Sequence, residues 1–329
     1  MALRAEFIEA HIARWEQALT GPFHPYRSKW PSRLFHHAPL QNAVKILLDG
    51  NLRSRDDPEN KREKDVAAPG VIDARNHAHG SARLYFRPRN PTQYNIEGIR
   101  KPGECKYGEE THAPVLMMMV FDARQVLAHP QIRFCDRNMQ LGNAVPGDTE
   151  EYFSNIPFAK VFHEGNTGGD RSIRDHRCAE VLAESPLPLA NTLQWVYCRT
   201  AAERDTLLHM LGEKQASWAQ RIQISNDLQL FERDFTFVDS VFLTANGVNF
   251  QLNPRRDLKN IALAVKVWNA KNEQIVNFAN PDVAAKPTDG NYKGWRIEAP
   301  FSNGTYLVRL ELEGHLAFEA YLSLGQNIV

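Results

Sequence analysis

The first apolar periodicity along the chain is helical. Ile8, Ile12, Trp15 and Leu19 recur at spacings of four, three and four, which stacks them on one helix face. Gly21 and Pro22 then stop the helix. After a loop rich in proline and aromatic residues, Leu34-Phe35-His36-His37 reads as a short strand. Residues 42–49 read as a helix with Val44, Leu47 and Leu48 inward and Gly50 at its C-terminal position. Residues 53–68 are charged, contain Pro58 and carry few large apolar side chains, which predicts a mobile surface loop.

Further on, short apolar runs predict strands at 84–86, 115–121, 178–182 and 193–198. Thr200-Ala201-Ala202-Glu203 matches a capping box that opens a helix carrying Leu207, Leu208 and Leu211 and ending at Gly212. After about residue 230 the period changes to two. Ile261, Leu263, Val265 and Val267 alternate with their neighbours, as do Tyr306, Val308, Leu310 and Leu312, and Phe318, Ala320 and Leu322. Asn246-Gly247, Asp289-Gly290 and Asn303-Gly304 supply turns between such runs. The pattern predicts an antiparallel, immunoglobulin-like β-sandwich over 229–329 and a separate mixed α+β domain over 1–228.

Composition narrows the class. The chain has 329 residues, 43% hydrophobic and 24% charged, with a formal net charge of zero. These values fit a folded globular chain of about two domains and exclude a wholly disordered or collagen-like one. The longest apolar run, 115–121, is far short of the roughly 20 residues that a membrane-spanning helix needs. No secretory signal is visible, and Cys105, Cys135, Cys178 and Cys198 form no CxxC pair, so reduced thiols in the cytoplasm are expected. Basic and acidic residues nearly balance from 231 onward, so the tail is no electrostatic clamp for nucleic acid.

Familiar catalytic motifs are absent: there is no GxGxxG, P-loop, HExxH or GxSxG. His36-His37 and His77-Ala78-His79 lack partners at metal-ligand spacing, and no metal is expected. The stretch 165–169 is compatible with a phosphate cradle or with an ordinary glycine-rich loop. Two stretches stand out. In Arg83-Leu84-Tyr85-Phe86-Arg87-Pro88-Arg89, guanidinium forks that suit phosphate interleave with aromatic faces that suit bases; solvated arginines at a strand end fit equally. In Cys178-Ala179-Glu180-Val181-Leu182, a lone carboxylate sits in an apolar strand, where it is either an edge residue or a functional one.

The order of these blocks resembles the DarT family of DNA ADP-ribosyltransferases. Leu34-Phe35-His36-His37 with Asn42 resembles that family's Phe-Thr-His strand and following helix. Ile72-Asp73-Ala74-Arg75 resembles the block that supplies a catalytic arginine. Tyr85-Phe86-Arg87-Pro88-Arg89-Asn90-Pro91-Thr92-Gln93-Tyr94 is similar to its Tyr-Phe-Asn-Pro-Arg-Ser-Pro-Met-Leu-Tyr signature. Phe134-Cys135-Asp136-Arg137-Asn138 is similar to its Phe-Thr-Asp-x-His segment, with Asn138 where the family has histidine. Ala179-Glu180-Val181-Leu182 resembles the strand of the catalytic glutamate. The blocks span about residues 34–200 and leave the C-terminal strands outside.

The resemblance implies an ADP-ribosyltransferase fold: two small, mainly antiparallel sheets splayed around an NAD cleft, with helices outside. NAD is then the ADP-ribose donor, and a base in single-stranded DNA the acceptor, with RNA or protein as alternative acceptors and a catalytically silent binding module as a third reading. Arg75 and Glu180 become the catalytic pair. His37, Asn42, Tyr85, Phe86, Tyr94 and Arg174 are expected to hold NAD, with Phe86 and Tyr94 beside the nicotinamide. Arg87, Arg89 and Asn138 are expected to contact the nucleic acid. A toxin–antitoxin or antiphage setting follows, with an antitoxin or a phage-derived trigger as partner.

Overall fold

The computed structural model describes residues 2–66, 79–139, 141–285 and 294–324. Its contacts divide the chain into two units. The first comprises Met1–Asn95, Met117–Tyr197 and Ser225–Phe231; the second comprises Ile96–Leu116, Cys198–Ile224 and Glu232–Val329. Among the described residues no helix is long and apolar enough to cross a membrane.

The first unit begins with the amphipathic helix Ala5–Ala18, which buries Ile8 and Ile12. Its strands are β1 (Arg33–Pro39), β2 (Asn51–Leu52), β3 (Ser81–Tyr85), β4 (Leu116–Asp122), β5 (Arg133–Cys135), β6 (Glu180–Glu184), β7 (Leu187–Pro188) and β8 (Leu193–Cys198). Six of them follow the order β5-β6-β3-β1-β4-β8, and β2 pairs with β7 apart from them. The pairs β1–β3, β3–β6, β5–β6 and β4–β8 are antiparallel.

The expected pair of splayed sheets is corrected here: β1 and β4 are hydrogen-bonded neighbours and join the strands into one sheet. Both are buried on both faces at their centres, with Leu34, Phe35 and every residue from Met117 to Phe121 at 1% exposure or less, which suits a sheet centre. Helix Leu40–Asp49 ends as its sequence demands. Gly50 adopts φ 75°, a left-handed conformation open to glycine, and its N–H bonds the Ile46 carbonyl. An aromatic core lies behind the sheet, where Phe153 meets Phe86, Phe134 and Phe158 with ring centroids 5.8, 4.9 and 5.2 Å away.

The second unit holds the short strand β9 (Ile222–Ile224) and the helix Ala201–Leu211. Thr200 caps that helix, its Oγ accepting from the Glu203 N–H at 3.2 Å, while the Glu203 carboxylate reaches back to the Arg199 N–H at 2.9 Å. Strands β10 (Phe237–Thr244), β11 (Gly247–Asn253) and β14 (Trp295–Glu298) form one sheet. Strands β12 (Ile261–Trp268), β13 (Gln274–Val283), β15 (Thr305–Leu312) and β16 (His315–Ser323) form another, in the order β13-β12-β15-β16. The period-two alternation is realised: Leu263, Val265 and Val267 lie opposite Leu312, Leu310 and Val308, all buried in one core. At the Asn246-Gly247 turn a Cβ on Gly247 would overlap the Ile297 carbonyl oxygen, so the turn needs glycine. Asp289-Gly290 lies outside the described residues.

Candidate active site

Strand β6 begins with a carboxylate inside the protein. Glu180 is 0% exposed and sits in register between Tyr85 of β3 and Cys135 of β5. The Met139 N–H, from the loop after β5, donates to Glu180 Oε2 at 3.1 Å. Oε1 has no hydrogen-bond partner. Among the described residues its ion-pair partner is Arg83, whose Nη1 stands 3.9 Å away, beyond hydrogen-bond reach. Burial pushes the Glu180 carboxyl above its ordinary pKa, against the opposing pull of Arg83, the Met139 N–H and the Tyr85 hydroxyl.

Strand alternation decides which neighbours share this face. Arg83 and Tyr85 are two apart on β3 and point the same way, and Phe35 pairs with Tyr85 across β1. His37, two residues beyond Phe35, lies parallel to the Tyr85 ring with centroids 5.3 Å apart and 8° between planes. Burial, reinforced by His36, lowers the His37 pKa to about 3, so this ring is neutral at physiological pH. The next ring, His36, is fixed by Nδ1 donating to the Arg83 carbonyl at 2.9 Å. Burial raises the Cys135 and Cys178 thiols to about 11 and about 12, which keeps both protonated. The face thus carries a stacked neutral pair, one buried carboxylate with an unpartnered oxygen, and a cation 3.9 Å from that oxygen. An open buried acceptor beside stacked rings fits a nucleotide donor with ribose hydroxyls to give.

The remaining expected residues divide. Asn138 is 8% exposed and precedes the Met139 N–H that binds Glu180, so it belongs to the same corner. Tyr94 is 53% exposed on the short helix Pro91–Ile96, and Arg174 is exposed on the helix Arg171–His176. Phe86, expected beside the nicotinamide, is turned away by the strand's alternation into the aromatic core, 5.2 Å from Phe158.

Asn42, expected to hold NAD, instead clamps the following loop: its Nδ2 donates to the Lys64 carbonyl at 2.6 Å, and its Oδ1 accepts from the Glu63 and Lys64 N–H groups. Arg87, expected to touch nucleic acid, is 2% exposed. It donates to the carbonyls of Pro88, Val161 and His163, pairs with Glu164 and lies over the Trp30 ring, so its fork is spent inside the protein. Arg89 joins that brace through Glu164 Oε2 at 3.1 Å and the Tyr26 hydroxyl at 3.0 Å. Arg75 lies outside the described residues.

The glycine-rich stretch leads into a helix start already capped by Asp170, which accepts from the Ser172 N–H at 2.9 Å. A capping carboxylate there disfavours a bound phosphate. Among the described residues no group of three metal-ligating side chains forms. Two site features escaped the sequence reading. One is the Met139 N–H, which no side-chain pattern could reveal. The other is the place of Arg83 beside Glu180, whose signal was its i, i+2 spacing from Tyr85.

By family the chain is an NAD-dependent ADP-ribosyltransferase. A family model described as "ssDNA thymidine ADP-ribosyltransferase, DarT" matches residues 35–230, and the chain belongs to that family. Among solved structures, it is similar to Thermus sp. 2.9 DarT in complex with ADP-ribosylated ssDNA, at 19% identity and a TM-score of 0.50, over 60% of this chain and 96% of that one. The same Thermus protein in complex with NAD+ aligns at 18% identity and a TM-score of 0.46, over 60% and 97% of the two chains. Thermosipho africanus DarTG in complex with ADP-ribose aligns at 15% identity and a TM-score of 0.43, over 67% and 55%. At such identities the Thermus likeness speaks for the fold alone. No curated protein sequence matches the chain.

Proposed function

We propose that this chain transfers ADP-ribose from NAD to a thymine base of single-stranded DNA, with Glu180 as the catalytic carboxylate. The observation that carries the reading is the fully buried Glu180 with Oε1 unpartnered beside the stacked His37–Tyr85 pair. As nicotinamide leaves, positive charge develops at the ribose C1′ carbon, and a carboxylate in a dry site stabilises it strongly. The open Oε1 accepts a ribose hydroxyl or the proton leaving the base nitrogen. Neutral His37 and Tyr85 hold the nicotinamide riboside by their flat faces. Exposed Tyr94 and Arg174 serve the acceptor strand or the donor diphosphate, Asn138 borders the acceptor base, and Arg75 polarises that base. A base must leave its stack to reach such a face, which favours single strands.

By the same resemblance we read the chain as a cytoplasmic toxin of a toxin–antitoxin or antiphage system, with an antitoxin or a phage trigger as partner. The strands from 229 onward, read as an immunoglobulin-like sandwich, are its protein-recognition module. The test is transfer of labelled ADP-ribose from NAD by the full chain. Acceptors are single-stranded DNA with and without thymidine, duplex DNA and RNA. Label on thymidine-bearing single strands, lost in Glu180→Ala, is expected. Label on RNA alone, or transfer unchanged in Glu180→Ala, overturns the proposal.

A further inference from the structure

We infer that Arg83 is a positioning residue that keeps Glu180 ionised while leaving its Oε1 open for the donor; this rests on Glu180 being the catalytic carboxylate. The geometry carries it. Arg83 sits on β3 opposite Leu182, diagonal to Glu180 on the same face, a separation that a long side chain spans. Its Nη1 stops 3.9 Å from Oε1, and its side chain is 21% exposed against 0% for Glu180. At that distance the guanidinium supplies charge without occupying the oxygen's lone pairs.

The protein builds a different object where a buried pair is structural. Arg199 donates to Glu203 Oε1 from Nε at 2.9 Å and to Glu97 Oε1 at 3.2 Å, and all three side chains are 1% exposed. Every strong bond is made there. Beside Glu180 one is withheld at an atom that water does not reach. A buried polar atom with no partner is costly, and a catalytic or ligand-binding role is one reason a protein keeps one.

Among the described residues, the other titratable groups facing Glu180 cannot replace Arg83. Tyr85 of β3, Cys135 of β5 and Cys178 before β6 are all pushed up by burial and stay neutral, and His37 of β1 is neutral as well. Asp136 and Arg137 next to Cys135 pair with each other at 2.7 Å. The partly exposed guanidinium is placed to hold the buried carboxylate as an anion.

The experiment is the pH profile of kcat/KM for ADP-ribosyl transfer by the full chain. It compares wild type, Arg83→Gln, Arg83→Met, Arg83→Lys and Glu180→Gln. Glu180 works ionised, so removing the Arg83 charge raises its pKa and moves the acid limb toward alkaline pH. A shift of about one to three units is expected in Arg83→Gln, with most of it restored in Arg83→Lys. At pH 7 the loss is about tenfold or more and shrinks at high pH. Arg83→Gln, close in shape and able to hydrogen bond, reports if Arg83→Met unfolds. An unmoved acid limb in both uncharged variants overturns the inference, as does a rise in KM for NAD alone. Transfer surviving in Glu180→Gln overturns the underlying reading instead, whatever Arg83 does.

Discussion

Replacing Glu180 by glutamine is expected to stabilise the protein while abolishing transfer. The carboxylate is 0% exposed; among the described residues one oxygen has no hydrogen-bond partner, and the Arg83 cation is 3.9 Å off. Leaving a buried polar group in that state costs about 1–3 kcal/mol, and more for a charged one. Glutamine keeps the shape and the acceptor for the Met139 N–H but carries no charge. The gain is therefore about 1–3 kcal/mol at neutral pH, which for a unit of this size raises its melting temperature by roughly 2–10 °C. The sign with pH follows from the raised carboxyl pKa. Folding prefers protonated Glu180, so wild type is penalised above the folded pKa, and the penalty vanishes as pH falls below the unfolded value of about 4.3. The assay is thermal melting of both proteins across pH, following the transition of the unit that carries β6. A variant less stable than wild type at neutral pH, or an advantage that does not change with pH, refutes the reasoning.

Three other substitutions separate scaffold from site. Arg87→Leu leaves Glu164 with Arg89 alone and strands the Val161 and His163 carbonyls, and a loss of about 2–5 kcal/mol is expected by denaturant titration; Arg87→Lys recovers little, because an ammonium cannot span the same acceptors. Thr200→Ala removes the cap bond to Glu203 and the 2.7 Å bond to the Val238 carbonyl, costing about 1–2 kcal/mol, while Thr200→Ser keeps both. Asn42→Ala frees the backbone at Glu63 and Lys64, and faster hydrogen exchange at those two amides is expected with little change in global stability. Equal exchange would assign the loop's order to the Lys45–Glu63 and Arg55–Asp65 pairs instead.

The site was legible where one residue type contradicts its surroundings, and illegible where long-range partners decide. Glu180 in an apolar strand is such a contradiction, and its burial between β3 and β5 removes the edge reading. Tyr85 and Phe86 are adjacent in a single motif, yet the pleat sends one to the carboxylate and the other to the aromatic core. Arg87 read as a phosphate ligand because Glu164, which neutralises it, lies 77 residues further along the chain. Arg83 read equally as a phosphate-binding or a solvated strand-end arginine, because nothing local shows that Glu180 is its diagonal neighbour. The alternating strands from 261 were plain. No periodicity announces that Glu97, Arg199 and the Glu232 N–H close a buried network, which draws 96–116 and 198–224 into the unit of the C-terminal strands.

The motif from Tyr85 to Tyr94 shows why a family signature need not be a list of substrate contacts. Its arginines hold the scaffold: Arg87 and Arg89 converge on Glu164, and Arg87 lies over Trp30, whose indole N–H bonds the Leu228 carbonyl at 3.0 Å. Its amides make the turn. Asn90 Oδ1 accepts from the Gln93 N–H at 2.9 Å, and Gln93 Oε1 accepts from the Arg89 N–H at 2.8 Å while its Nε2 donates to the Leu230 carbonyl. Arg89 takes φ 49°, a left-handed conformation that few non-glycine residues adopt and that this network holds in place. All of these bonds anchor the chain immediately after Tyr85. A β-strand that slips by one residue exchanges its two faces. Slippage of β3 would remove Tyr85 and Arg83 from Glu180 and bring Leu84 and Phe86 to it. The brace therefore acts on the chemistry through register, and its residues are tied to the site without facing it.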